Sequence, residues 1–422
     1  MTRIVDLKAR RIWDSRGHPA VEAEIFLEGG FSGRGSAPTG VSIGSRAARV
    51  VDAALAVRNI QGEMRTALLE GAAADQVSLD AALVRLDGRP DKSRLGGNAM
   101  MAVSLAYAQA AAAAARMPLW RHLAGERSVA LPVPQIQIFG GGEQAGGRVD
   151  VQDFMVIATG AGSFNEALEM TAEVYHAAGT RLARQGLRQG VADAGGHWPT
   201  FKSNEAGLAA LVQAIEDAGM RPGPDMAIAL DIAATQLFRG GRYQLALEAR
   251  SLDPEQWQRM LLRWIDAYPI VSIEDPFDEN DSASMASFTR EAGARVQIVG
   301  DDFFCTDLAR IRAGVAQAAG NAVLIKPDQA GTLSEARAAW AAANEGGYGG
   351  IASARSTETE DPAIVHLALG WGLPQIRVGS FSRSEHMAKW NQGLRIEESL
   401  GRMAAPYPAR RLFERRLAAR RK

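Results

Sequence analysis

Four apolar runs in the second half of the chain each stop at a charged residue. MAIALD ends at Asp231, IVSIED at Glu274 and Asp275, VQIVGDD at Asp301 and Asp302, and AVLIK at Lys326. Runs of this kind read as buried strands, and a charge within one would lack a partner, so chemistry is expected where the strands stop. Glu274 to Asp301 and Asp301 to Lys326 each span one strand-and-helix unit, while Asp231 to Glu274 also holds the extra segment GGRYQLALE. Repeated units bring all four ends to one face, which in a parallel barrel is the face that carries active sites. One acidic strand end could simply cap the next helix through its dipole. Three carboxylates with a lysine call for more, and an oxygen-rich cage suits a hard divalent cation such as Mg²⁺. Asp231, Glu274 and Asp301 are the expected metal ligands. Lys326 beside them can serve as a base or as counter-charge to a developing enolate. Lys389, in SEHMAKWNQ near the last strand, adds a second such lysine unless it lies on a solvated helix face.

The elements that must hold these residues follow from periodicity. Alternating stretches predict strands over Ile4–Ile12, Val21–Phe26 and Phe31–Ser36, with Gly29 and Gly30 turning the last pair. Apolar and alanine positions at helical spacing predict helices over Ser45–Arg58 and Gly97–Ala115, so the first part of the chain is a small sheet backed by helices. After Pro132 and Pro134, short β-branched runs alternate with amphipathic helices: Met226–Ile232, Ile270–Asp275, Val296–Asp301, Ala322–Lys326, Gly350–Ala354 and Gln375–Gly379. That alternation is the rhythm of an α/β barrel.

Composition narrows the classes. With 422 residues, 47% of them hydrophobic and 23% charged, the chain can bury a large core and is neither mainly disordered nor collagen-like. The longest apolar stretch, Ala102–Ala115, is alanine-rich and interrupted by Ser104 and Gln109, too weakly hydrophobic to span a bilayer. No signal peptide is visible at the N-terminus, so a cytoplasmic location is expected. The single cysteine, Cys305, excludes an internal disulfide and a thiolate metal site. A net charge of −1 gives no reason to expect nucleic acid, and the basic tail Arg410–Lys422 reads as a solvated terminal helix. Gly33, Gly35 and Gly40 do not have the spacing of a nucleotide-binding loop.

The motifs together resemble the enolase family over nearly the whole chain. ARRIWDSRGHPAVEAEI is similar to the family's opening and SAPTGVSIG to its catalytic loop, in which Ser42 would reach a second metal ion. ALDIAATQLF, SIEDPFDENDSASM, VQIVGDDFF, LIKPDQAGTL, ARSTETED and SRSEHMAKWNQGLRIEESLG follow in family order. The resemblance implies an N-terminal α+β domain over residues 1–127, then an enolase-type modified (β/α)8 TIM barrel over residues 128–422. It also implies a homodimer and Mg²⁺-assisted chemistry on a small phosphorylated carboxylic acid, with Arg355 and Ser356 as phosphate contacts and Lys389 as a substrate contact. The superfamily scheme is a lysine or histidine base with one or two Mg²⁺ ions.

The departures fall in one pocket. Where family enolases carry a glutamate that helps the 3-hydroxyl leave, VADAGGHWPTF has Ala194. The active-site histidine of the glycine loop is Gln144, the glutamate of the next motif is shortened to Asp153, and a second histidine is Ala354. The metal and carboxylate residues and Lys326 remain. Losing a positioned acid typically costs 10² to 10⁴-fold, so ordinary 2-phosphoglycerate dehydration is not the expected main activity. His197 is a possible substitute acid, the alternative being a structural histidine beside Trp198. The enlarged, neutralised pocket suits a second reactant, and the nearest resemblance is to enzymes of the carboxyphosphonoenolpyruvate synthase type in phosphonate and phosphinate antibiotic biosynthesis. The competing readings are a non-catalytic enolase-like binding or regulatory protein and a weakly active phosphopyruvate hydratase.

Overall fold

A computed structural model describes residues 3–38, 44–71 and 74–419. The chain opens with an antiparallel meander, β1 (Ile4–Trp13), β2 (Pro19–Leu27) and β3 (Phe31–Ala37). The alanine-rich run becomes the helix Gly97–Ala114, which lies on β3. The approach is close because β3 presents glycines: a Cβ on Gly33 would sit 2.2 Å from the backbone nitrogen of Ala110, and one on Gly35 2.5 Å from the carbonyl of Ala102. Small residues on both sides are therefore a packing requirement, which accounts for a run too weakly apolar for a membrane. Among the described residues no helix is long and apolar enough to cross a bilayer. The helix expected over Ser45–Arg58 begins only at Ala53, where Asp52 caps it by accepting the Ala54 and Leu55 N–H groups.

Eight strands then close a barrel: β4 (Val133–Gly140), β5 (Asp153–Ile157), β6 (Ala227–Asp231), β7 (Ile270–Glu274), β8 (Gln297–Gly300), β9 (Ala322–Ile325), β10 (Gly349–Ser353) and β11 (Gln375–Arg377), with β11 pairing back to β4. β5 is antiparallel to both β4 and β6, while the remaining pairs are parallel. The strands from β5 to β9 are buried at every position, as expected of a sheet covered on both faces. Helices between them bury one stripe each; Pro254–Ala267, for example, starts with an Asp253–Gln256 capping box and buries Trp257, Met260, Leu261, Trp264 and Ile265. The GGRYQLALE segment forms a small separate sheet, Phe238–Arg239, Arg242–Leu245 and Arg250–Leu252. At the end of the barrel remote from the strand C-termini, Ala409 and Phe413 of the terminal helix Ala409–Ala419 pack against Val133, Met155, Ala227 and Val271.

Candidate active site

The charged strand ends meet at one mouth of the barrel. Because β5 runs against its neighbours, its first residue, Asp153, reaches the same mouth as the last residues of β6 and β7. Asp153 pairs in register with Asp231, and Asp231 with Glu274. Three carboxylates side by side on adjacent strands repel one another and require positive charge. Arg377, the last residue of β11, supplies it: one guanidinium forms ion pairs with Glu274, with Asp153, and with Asp231 at 2.7 Å. Neighbouring amides complete the layer. Gln137 and Gln144 both donate to Asp153, Gln144 at 2.6 Å, and Gln152 donates to Asp231 at 2.8 Å.

A second charged group lies across the mouth. Lys326 pairs with Asp301, whose other oxygen accepts from Gln329 at 3.1 Å. Thr306 fixes both sides of this pair, donating to Gln329 at 2.7 Å and accepting the Lys326 N–H at 3.0 Å. Burial alone would raise Asp301 and lower Lys326, but each charge outweighs it: Asp301 is held below the usual carboxylate range and Lys326 above the usual ammonium. Asp275, at φ +41°, accepts the Asp301 and Asp302 N–H groups at 2.9 and 2.7 Å.

The acidic side is short of positive charge. Burial drives Glu274 well above the carboxylate range despite Arg377, and burial with Asp302 and Asp301 nearby does the same to Asp275. Asp302 is pushed up to about 6 by burial and by Asp301. The Glu274 Oε2 atom is buried without a hydrogen-bond partner among the described residues. Asp275, Asp301 and Asp302 each offer an oxygen within 4.8 Å of the others. An orphaned carboxylate oxygen and a concentration of hard oxygen donors fit a divalent cation of the Mg²⁺ kind. Of the expected trio, Asp231 and Glu274 pair with Arg377 and Asp301 with Lys326, and Asp301 also belongs to the tight grouping with Asp275 and Asp302.

A cavity of about 770 Å³, counted to its open mouth, joins these groups to the phosphate-type contacts. Arg355, Ser356 and Ser353 line it with Lys326, Asp231, Asp301 and Arg377. Arg355 is buried and held by Asp328 at 2.6 Å, while its backbone N–H donates to Glu358 at 2.8 Å. Ala194, Gln144 and Ala354 also line this cavity, as does Glu143 from the short turn Glu143–Ala145.

Two expected residues lie elsewhere. Lys389 is buried in the helix Ser384–Leu400, donates to the Thr359 and Glu385 carbonyls at 2.8 and 3.1 Å, and pairs with Glu358 at 3.2 Å. It lines a different cavity with Met101, Leu105 and Ile364, so the second cation of the reaction pocket is Arg377 and not Lys389. His197 is buried, stacked on Tyr175 with ring centroids 4.2 Å apart, and its Nε2 lies 3.0 Å from the Tyr175 carbonyl. Its ring fills the space over Gly179, where a Cβ would come within 2.8 Å, and burial pushes its pKa down. It is a packing histidine, outside the residues that line the reaction cavity. Ser42 lies outside the described residues. Arg377 is the residue that sequence reading missed. Its signal was the same charged strand end used for the other four, in the run QIR.

An eight-stranded barrel with one reversed strand, an N-terminal α+β domain and an acidic, lysine-bearing mouth define an α/β-barrel protein whose charged strand ends share one cavity. Residues 4–123 match the family description "Enolase, N-terminal domain" and residues 128–415 match "Enolase, C-terminal TIM barrel domain". The chain belongs to the enolase family and is an enzyme of that family.

Proposed function

We propose that this enzyme acts on a 2-phosphoglycerate-like or phosphoenolpyruvate-like three-carbon acid, forming an enolate from the 2-phosphoglycerate-like one, whose C2 carries a proton, without completing ordinary dehydration. Lys326, once its ammonium has given up a proton to solvent, is the base that removes the proton α to the carboxylate, leaving the electron pair delocalised into that carboxylate. The ionised Asp301 beside it keeps the departing proton's acceptor oriented. Arg355 and Ser356 grip the phosphoryl group, for which the guanidinium fork is suited. Asp231, Glu274 and Asp301, with Asp275 and Asp302 adjoining, would hold Mg²⁺, which when bound supplies charge to stabilise the doubly negative carboxylate of the enolate. The small anionic substrate and a cytoplasmic homodimer belong to the same reading.

The observation that carries it is the composition of the cavity wall: Lys326 and the acidic cluster are intact, whereas Ala194, Gln144 and Ala354 provide no acid for a leaving hydroxyl. A deprotonated carbon facing a wall that offers no acid at Ala194, Gln144 and Ala354 suits transfer to a second, electrophilic reactant. We assign this to a lyase or transferase step of the carboxyphosphonoenolpyruvate synthase type in phosphonate or phosphinate antibiotic biosynthesis. Glu143, the carboxylate next to Gln144 in the lining, favours one second reading, slow phosphopyruvate hydratase activity with Glu143 as acid. Incubation of 2-phosphoglycerate with Mg²⁺ in D₂O separates the cases. Deuterium at C2 without phosphoenolpyruvate supports the proposal; rapid phosphoenolpyruvate formation supports an ordinary hydratase; neither product supports a binding protein.

A further inference from the structure

Beside the reaction cavity lies a second one of about 440 Å³, counted the same way, between the N-terminal domain and the barrel. Ser353 and Ala354 line both, so the two spaces meet at the end of β10. Ala354 is half-buried and puts only a methyl group at this junction, where the resemblance to family enolases places a histidine. An imidazole ring would take up space there that the alanine leaves.

The walls of this annex are of two kinds. Met101 and Leu105 of the helix Gly97–Ala114, with Ile364 and Leu367 of the helix Ala363–Trp371, supply hydrocarbon. The charged groups already have partners. Lys389 directs its ammonium at the Thr359 and Glu385 carbonyls and at Glu358. Asp328 holds Arg355, and Asp361 accepts the Ala363 N–H at 2.9 Å and the Ser36 N–H at 3.3 Å. An anion entering the annex would meet three carboxylates and, among the described lining residues, no uncommitted cation. An apolar group would instead leave water for four hydrocarbon side chains, the ordinary basis of a small-molecule pocket.

We propose that the annex is a binding site for an uncharged, apolar portion of the second reactant, which reaches it from the reaction cavity past Ser353 and Ala354. Exchange of a ring for a methyl group at residue 354 then has a second consequence besides removing an acid: it joins the phosphoryl contacts at Arg355 and Ser356 to a hydrocarbon-lined space. The inference rests on the proposed transfer to a second reactant and names the part of that reactant which this chain would select.

The test is calorimetric titration of methyl-, propyl- and pentylphosphonate into the full chain with Mg²⁺ present. Arg355 and Ser356 take the phosphonate, and the length of the alkyl chain reports on the annex. Wild type should bind about threefold tighter for each methylene that enters, so that pentylphosphonate binds roughly tenfold or more tighter than methylphosphonate. A terminal carboxylate in place of the last methyl group, as in 5-phosphonopentanoate, should cancel that gain. Ala354→His fills the junction and Ile364→Trp the annex itself, and each should bring the pentyl-to-methyl ratio toward unity. Ile364 is only half-buried, so its variant carries the comparison if the histidine variant does not fold. Equal affinity for all three phosphonates in wild type, an undiminished ratio in Ile364→Trp, or equally tight binding of 5-phosphonopentanoate overturns the proposal. Absence of phosphonate binding overturns it together with the phosphoryl contact. Absence of C2 exchange with the chain-length pattern intact would overturn the proposed reaction and leave this binding site standing.

Discussion

Asp328 holds the guanidinium of Arg355 at 2.6 Å, and both side chains are largely out of solvent. Arg355, just beyond β10, lines the reaction cavity, while Asp328, just beyond β9, lines the neighbouring one and holds the arginine oriented before any anion arrives. A pre-oriented guanidinium loses little freedom on binding a phosphoryl group, whereas a lysine at the same place offers a single point contact and no Nε atom for Asp328. Arg355→Lys should therefore weaken 2-phosphoglycerate binding about tenfold, roughly 1.4 kcal/mol, by calorimetry. Equal affinity would move the phosphate contact to another residue.

The two buried lysines should behave differently. Lys326→Met removes the proposed base and should lower C2 exchange by about 10² to 10⁴-fold, as expected for loss of a positioned general base. Lys389→Met should leave exchange within a few-fold of wild type in protein that remains folded. Its effect should be on stability, because Glu358 would stay buried without its ion-pair partner, a loss of about 3 to 5 kcal/mol. Denaturant melts and NMR exchange on the same two variants check both halves, and a large exchange defect in Lys389→Met would return that residue to the reaction.

How far the sequence carried depends on what each signal encodes. Barrel strands such as Ile270–Glu274 and Ala322–Ile325 are continuous apolar runs, legible because both faces are buried. The strand Val133–Gly140 is masked by Pro134 and its alternate glutamines, which point into the barrel, where Gln135 donates to Gln375 and Gln137 to Asp153. The acidic residues were legible as strand ends, but their pairing was not. The register that sets Asp153 beside Asp231 depends on one reversed strand, which periodicity does not report. Lys389 shows the opposite failure: its neighbours resemble a known motif, yet its direction on the helix takes it to Glu358. His197 was weighed as an acid because chemistry depends on residue type, whereas its role is set by the stack on Tyr175.

A histidine away from the site gives a prediction for pH. Burial pushes His366 down to about 4, and its Nδ1 faces the Trp120 N–H at 3.3 Å. Between its unfolded pKa near 6.5 and its folded one, the unfolded chain takes up a proton that the folded chain does not. Its contribution to stability is therefore whole above about pH 6.5 and is lost as pH falls toward 4, roughly 2 kcal/mol by pH 5. Urea melts at about pH 7.5 and about pH 5 should show that loss in wild type and a smaller one in His366→Gln, the difference between the two proteins isolating this group from other titrations. Identical pH dependence in the two proteins would show that His366 does not carry the effect.

The remaining prediction asks whether the altered wall marks a change of reaction or only damage. If the enzyme were a hydratase that had lost its acid, restoring the missing groups as Ala194→Glu, Gln144→His and Ala354→His should recover phosphoenolpyruvate formation, since Lys326 and the acidic cluster are in place. Little recovery is expected. Gln144 donates to Asp153 at 2.6 Å as part of the amide layer that steadies the Arg377 cluster, and replacing it disturbs that layer. A new carboxylate at Ala194 would add negative charge to a cavity already bordered by Asp153, Asp231, Asp301 and Asp302. Like-charge repulsion would raise its pKa and resist a second anionic reactant. The triple variant should thus lose the native activity without gaining the other, while C2 exchange through Lys326 persists. Phosphoenolpyruvate absorbance from 2-phosphoglycerate and Mg²⁺, followed for wild type, the triple variant and Glu143→Gln, decides among the outcomes. Wild-type turnover in the ordinary enzyme range, about 1 to 10³ s⁻¹, would falsify the loss of dehydration. Its abolition in Glu143→Gln would then identify the acid.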